Sequence, residues 1–349
     1  MKTILIILNL VACNYATAQK NYLINDVKLF DGYHVFEKVD VSIIDGRIDR
    51  IAKRIKHTSD MSLIDGAKKT IIPGLINSHV HAWIPYHLKN ALEFGVFAVL
   101  DMNTSADLDE LKSLKLEEGY ARFYSTGFAA TVENGHGTQY GYPVPTIGEA
   151  RSPAQFVDEA YTGGSDYIKI IYEPSKPTLT PTQVTSIVKA SKKYGYKTVA
   201  HISRKNHAVE LAKTGIDGFA HLWKDGPIAE EELDVIIENG LFIIPTLSVI
   251  QGVIKYYEAE GIDLSFSLLE TTLLEVKRLS NAGILLLAGT DPPNVGLDYG
   301  SSIHSELALF VKAGLTPVEA LKTATSNVSQ TFGIEDIGII KEALMPILI

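Results

Sequence analysis

The chain has 349 residues, 46% of them hydrophobic and 21% charged, with 32 basic against 41 acidic side chains and a net charge of −9. That length and apolar content can bury a large core, more than one ordinary domain needs but suited to an α/β barrel with a small accessory piece. The acidic balance and the lack of any basic run argue against nucleic acid or an anionic membrane as a partner.

At the N-terminus, Lys2 precedes an apolar run over residues 4–12 that is too short to span a bilayer, which reads as an export signal over residues 1–18. The mature protein is therefore expected outside the cytoplasm, periplasmic or secreted, with no transmembrane segment. Two processing sites compete. Ala16-Thr17-Ala18 before Gln19 suits ordinary signal peptidase, whereas Leu10-Val11-Ala12-Cys13 has the form of a lipoprotein box that would anchor the chain through Cys13. Cys13 is the only cysteine, so the mature chain has no disulfide, and a metal site would have to use His, Asp, Glu or Lys.

Residues 20–72 hold short β-like runs at 22–24, 27–30, 39–44 and 48–51, separated by Asp31-Gly32 and Asp45-Gly46 turns. They predict a small antiparallel sheet with nothing chemical in it. From residue 71 the pattern becomes strand, loop, helix, repeated. Candidate strands cover 71–79, 95–102, 122–130, 167–171, 198–201, 218–221, 242–245 and 284–290; helical stretches cover 153–161, 181–194, 208–214, 230–239, 268–282 and 317–325. Several helices stop at glycine before the next strand, as at Gly195, Gly215 and Gly283. Eight strands alternating with helices imply a parallel sheet and fit a (β/α)8, TIM-like barrel over residues 73–334, whose active site would lie at the C-terminal strand ends. Residues 19–72, with 335–349, are assigned to a small β subdomain.

The first barrel strand closes on His79-Val80-His81, two imidazoles at i and i+2 on one face, a geometry suited to a metal such as zinc at about 2.0–2.1 Å. Strand four carries Lys169, strand five ends at His201, strand six at His221 and strand eight at Asp291 in Gly289-Thr290-Asp291-Pro292-Pro293. All six would converge on one mouth. Singly, each has a structural explanation: a snorkelling lysine, satisfied strand-end histidines, a helix cap before a proline pair. Jointly those explanations are hard to sustain. His136, in the Gly-rich loop Asn134-Gly135-His136-Gly137 after strand three, is either a donor to substrate or a loop histidine in solvent. Trp223, Tyr256 and Tyr257 are explained equally by a pocket wall and by core packing.

On these residues the chain resembles the amidohydrolase superfamily, and within it the imidazolonepropionase-like branch that includes metal-dependent Xaa-Pro dipeptidases. The supporting stretches are Pro73-Gly74-Leu75-Ile76-Asn77-Ser78-His79, Asn134-Gly135-His136-Gly137, Ile168-Lys169-Ile170, Phe219-Ala220-His221, Pro245-Thr246-Leu247, Gly289-Thr290-Asp291 and Gly314-Leu315-Thr316-Pro317-Val318-Glu319-Ala320-Leu321. The resemblance implies two divalent ions, expected to be zinc: His79 and His81 with Asp291 on one, His201 and His221 on the other, and a carboxylated Lys169 bridging them. It also implies Asp291 as general acid/base and His136 as a substrate contact. The chemistry is sound independently: burial beside cations depresses a lysine pKa, and the neutral amine takes up carbon dioxide to give an anionic carbamate. A water shared by two metals is acidified, and Asp291 is placed to move its proton to the departing amine.

The expected function is hydrolysis of an amide-type C–N bond in a small substrate, an Xaa-Pro dipeptide or a cyclic amide. A lactonase or phosphoester hydrolase on the same site, and a non-catalytic exported binding protein, are the competing classes. A homo-oligomer is compatible with the sequence. At the C-terminus the chain departs from the family pattern: relatives follow the equivalent of Glu342 with a glycine and an Ala-Asp-Leu strand that returns to the small sheet, whereas here Ala343-Leu344-Met345-Pro346-Ile347-Leu348-Ile349 follows. Loss of one nucleotide from a Gly-Phe-Asp-Ala-Asp-Leu run yields such codons, so a frameshift and a C-terminally truncated β-sandwich subdomain with an unpaired edge are expected.

Overall fold

A computed structural model describes residues 21–262 and 267–342. The expected export signal with Cys13, and the expected frameshift after Glu342, lie outside the described residues. Those residues fall into two compact units, one built on 21–29 and 36–71 with 341–342, the other on 30–35 and 72–340.

The smaller unit is a sheet of β1 (Asn21–Phe30), β2 (Val35–Ile44), β3 (Arg47–Ala52), β4 (Met61–Asp65) and β5 (Thr70–Ile71), ordered β3-β2-β1-β4 with β5 also on β1. β2 and β3 pair antiparallel across Asp45-Gly46, both left-handed at φ 49 and 69 as a tight hairpin turn requires. The sheet departs from expectation in being mixed: β1 pairs in parallel with β4 (Asn21↔Met61) and with β5 (Lys28↔Thr70). Residues 53–60 carry the chain from β3 to the far side of β1, a long-range crossover that local alternation cannot encode. The two short runs at 22–24 and 27–30 are one strand. Asp26 takes φ 54 within it and its amide donates to Asp40 Oδ1 at 3.0 Å, so the irregularity is absorbed without a turn.

The larger unit alternates strand and helix. It runs β6 (Leu75–Val80), α1 (Pro85–Glu93), β7 (Val96–Asp101), α2 (Leu108–Ser113), β8 (Arg122–Ser125), α3 (Pro153–Thr162), β9 (Ile168–Ile171) and α4 (Pro181–Lys192). It continues through β10 (Thr198–His201), α5 (Lys205–Ala212), β11 (Gly218–Ala220), α6 (Glu230–Glu238), β12 (Phe242–Ile244), α7 (Leu247–Ala259), α8 (Ser267–Asn281) and β13 (Leu285–Leu286), and ends in α9 (Ser302–Lys312), α10 (Pro317–Thr323) and α11 (Ser326–Phe332). All the strand pairs are parallel, in sheets ordered β6-β7-β8 and β13-β12-β11-β10-β9. Backbone bonds join the two sheets at both seams: Asp166 N to Ser125 O (2.7 Å) and Ala130 N to Lys169 O (2.8 Å) on one side, Ser78 N to Ala288 O (2.9 Å) and Asp291 N to His79 O (2.7 Å) on the other. This is the α/β, TIM-like arrangement.

Helix starts follow local chemistry. Ser152/Gln155, Thr180/Gln183 and Thr316/Glu319 each form a reciprocal capping box with proline as the first helical residue. The strands bury both faces, as parallel strands covered by helices do. Alternation sends the two faces to separate clusters. Leu75, Val99, Ile168, Ile170, Ala200 and Ile243 pack with the helices, while Ile76, Ala98, Leu100, Tyr167, Val199 and Ile244 form an inner cluster closed by Val328, Ile334 and Ile337. Lys169 lies between Ile168 and Ile170, and so shares the inner face with Tyr167.

Candidate metal centre

The inner face carries the titratable side chains at its C-terminal end. His79, at the end of β6, is buried and its Nε2 lies 3.3 Å from Asp291 Oδ1; His81 Nε2 lies 3.0 Å from the same oxygen. His79, His221 and Asp291 each offer one ligand atom within 4.8 Å of the others, a possible metal site. The ring centroids of His79 and His221 are 4.9 Å apart, those of His221 and His201 4.7 Å. His136 stacks on His201 at 5.1 Å with 22° between ring planes. Lys169 is buried with Nζ lacking any hydrogen-bond partner, and its charge acts on His79, His201, His221 and His136. The His79–Asp291–His81 contacts, the His79/His221/Asp291 group and the His201–His136 stack thus form one continuous cluster around an unpaired amine.

Electrostatics prepares these groups as ligands. Burial pulls His79 down to about 4 and holds His201 and His221 well below the ordinary imidazole value, so all three are neutral with a lone pair to offer. Burial also draws Lys169 down to about 7, where a neutral amine is accessible. Burial opposes the ionised form of Asp291, but electrostatic attraction to the His79 imidazole and the hydrogen bonds from His79 and His81 keep it well below the usual carboxylate range. His81 shifts the other way: burial pulls down, but its hydrogen bond and attraction to Asp291 raise it.

The backbone is bent to serve this convergence. His221, Thr246 and Asp291 all adopt left-handed φ (72, 49 and 57), each costing about 1–3 kcal/mol for a non-glycine residue unless its surroundings hold it. At Asp291 the holding bond is its amide to His79 O. Two imidazoles are oriented through Nδ1, leaving Nε2 for the cluster: His81 Nδ1 donates to Asn103 O (3.0 Å), and His221 Nδ1 meets Thr246 Oγ1 (2.8 Å).

Sequence reasoning missed Asn103, Asp101 and Glu306. Asp101 ends β7, a strand-end position of the kind that drew attention to His201, and its carboxylate accepts from Ala82 N (2.9 Å) and Ser125 Oγ (2.6 Å), holding the turn just after His81. Of the aromatics, Trp223 is buried with Nε1 donating to Glu275 Oε1 at 3.1 Å, whereas Tyr256 and Tyr257 are exposed on α7. His87 stacks on Tyr299 at 3.9 Å and accepts from Trp83 N, and His304 bonds Phe94 O.

The chain is 22% identical over 349 residues to imidazolonepropionase of Vibrio cholerae serotype O1, covering 86% of this chain and 83% of that one. Among solved structures it superimposes on a Xaa-Pro dipeptidase with methionine bound in the active site (TM-score 0.77, 21% identity, 93% of this chain and 92% of that one). It also superimposes on a prolidase complexed with N-methylphosphonate-L-proline (TM-score 0.78, 18% identity, 94% and 92%). At such identities the superpositions show the TIM-like fold. Residues 70–343 match the sequence model of the amidohydrolase family, and the chain belongs to that family of hydrolases.

Proposed function

We propose that the protein is an exported, binuclear-metal amidohydrolase that cleaves an amide-type C–N bond of a small substrate, with Xaa-Pro dipeptides the first class to test. The observation that carries this is the unpaired Lys169 Nζ, buried within a cluster of neutral histidines around an ionised aspartate. A buried ammonium without an acceptor is costly, and an orphaned polar atom of this kind calls for a missing partner. Lys169 as a carbamate would supply two oxygens sharing one negative charge there. His79, His81 and Asp291 would then hold one divalent ion and His201 and His221 the other, nitrogen and oxygen donors that suit zinc. Such ions would supply Lewis acidity for the scissile carbonyl and would acidify the attacking water.

The chain's own residues perform the remaining work. Asp291 Oδ accepts the proton that the attacking water loses and delivers it to the departing amine nitrogen as the C–N bond breaks. His136 stacks on His201 from the loop after β8, and burial lowers its pKa; a neutral ring there would offer its N–H to the substrate carbonyl. Xaa-Pro dipeptides lead the substrate class because of the likeness to a Xaa-Pro dipeptidase and a prolidase. Export suits peptide scavenging outside the cytoplasm. The test is a panel of Xaa-Pro dipeptides, N-acyl amino acids, cyclic amides, lactones and phosphotriesters on zinc-loaded protein. Amide hydrolysis is expected to dominate; lactone or phosphotriester turnover well above any amide would overturn the assignment.

A further inference from the structure

Helix α7 begins without the cap its sequence offers. Threonine at the N-cap ordinarily accepts a hydrogen bond from an amide in the first turn. Thr246 makes no such bond and sits in the left-handed region at φ 49, ψ 52. Its hydroxyl is committed to His221 Nδ1 at 2.8 Å. The first amides of α7 belong to the buried residues Leu247 and Ser248, and a buried amide must find an acceptor elsewhere. Both find it in Glu306 of α9: Leu247 N donates to Oε1 at 2.9 Å, Ser248 N to Oε2 at 2.7 Å, and Ser248 Oγ to Oε2 at 2.7 Å. Glu306 is wholly buried, and the mechanism above gives it no role.

We infer that Glu306 is a positioning residue for the metal centre, taking over the cap of α7 so that the Thr246 hydroxyl is free to fix the His221 ring with Nε2 presented to the cluster. The inference rests on His221 being a metal ligand. Both oxygens of the carboxylate are engaged, so an amide at this position, with one oxygen, cannot replace it. Loosening the turn at 246–248 frees the Thr246 hydroxyl to rotate towards the uncapped amides and releases His221.

Three variants test this: Glu306→Gln, Thr246→Ala and the double substitution. The first readout is the low-field His221 Nδ1–H resonance in metal-free protein, which needs no activity and no metal. The second is affinity for zinc measured by competition with a chelator. Glu306→Gln is expected to shift or broaden the resonance as Thr246→Ala does, and to weaken binding of one of the two ions by about 10–100-fold, the usual effect of losing a group that orients a ligand. The double variant is expected to bind no more weakly than the weaker of the two single variants, because both act through one contact. An unchanged resonance with unchanged affinity, or losses that multiply in the double variant, would overturn the inference. Wild-type protein that binds no zinc would instead overturn the metal-centre assignment, and the resonance in metal-free protein would still decide whether Glu306 positions His221. Should Glu306→Gln fail to fold, Ser248→Ala removes one of the three bonds to Glu306 and carries the same readouts, with a smaller loss expected.

Discussion

Asparagine at position 291 keeps an oxygen beside His79 and His81 but cannot take up a proton. Asp291→Asn is therefore expected to retain the fold and much of the bound metal while kcat falls by about the 10²–10⁴-fold that a positioned general base contributes. Steady-state kinetics beside metal analysis checks it, and wild-type kcat would remove Asp291 from the proton path. Asp101 gives a prediction of the opposite kind, since it touches no substrate. Burial pushes its carboxyl from 3.8 up to about 7. A folded-state pKa raised above the unfolded one means that its contribution to stability is fully present below pH ~4 and is lost as pH rises through ~7. The loss is on the order of 4 kcal/mol at most. Asp101→Asn can still accept from Ala82 N and has no charge to bury. In metal-free protein its melting temperature is expected to gain on wild type as pH rises from 4 to 8, and a constant difference across that range would contradict the assignment. The strand-end residues His79, His81, Lys169, His201, His221 and Asp291 were legible in the sequence because they carry both chemistry and position. Their supports were not: Asn103 holds His81 through its backbone carbonyl, and Glu306 acts on an amide 59 residues away.

Among the elements, three helices with strong local start signals were readable. Pro153, Pro181 and Pro317, each behind a Ser or Thr that caps, mark α3, α4 and α10. Helices α1, α2, α7, α9 and α11 were not assigned: Ile84, Thr246 and Ser301 at the N-caps of α1, α7 and α9 make no side-chain cap bond, whereas α2 has a cap in Asp107, which accepts from Asp109 N and Glu110 N, but spans only Leu108–Ser113. The parallel pairing of β1 with β4 and β5 depends on a crossover with no local signature. The seam between β6 and the segment after β13 is the element-scale feature on which the site depends most directly. There a Cβ on Gly289 would come within 2.6 Å of Ile244 Cγ2, 2.7 Å of His79 Cβ and 2.9 Å of His79 N. Gly289→Ala is expected to push β6 away from Asp291 at a cost of about 1–3 kcal/mol, with bound metal falling in parallel. Thermal denaturation and metal content read this directly. A wild-type melting temperature with undiminished metal would show that the seam can open without disturbing His79.

For the molecule as a whole, the proposed metal centre depends on one feature that neither strand order nor composition encodes: a lysine left without a hydrogen-bond partner inside the larger unit, among histidines whose burial keeps them neutral. Strand–helix alternation made the TIM-like fold legible. It could not make legible the state of Lys169, because the pKa of a buried amine depends on the charges that tertiary structure gathers around it. Among the described residues no helix is long and apolar enough to cross a membrane. The most direct measurement is elemental analysis of protein grown in zinc-supplemented medium, with Lys169→Ala measured beside it. Close to two divalent ions per wild-type chain are expected, with a clear loss in Lys169→Ala and partial return of activity with short carboxylic acids that stand in for the carbamate; a wild-type chain without bound metal, or a Lys169→Ala variant with full metal and wild-type turnover, would overturn the binuclear centre.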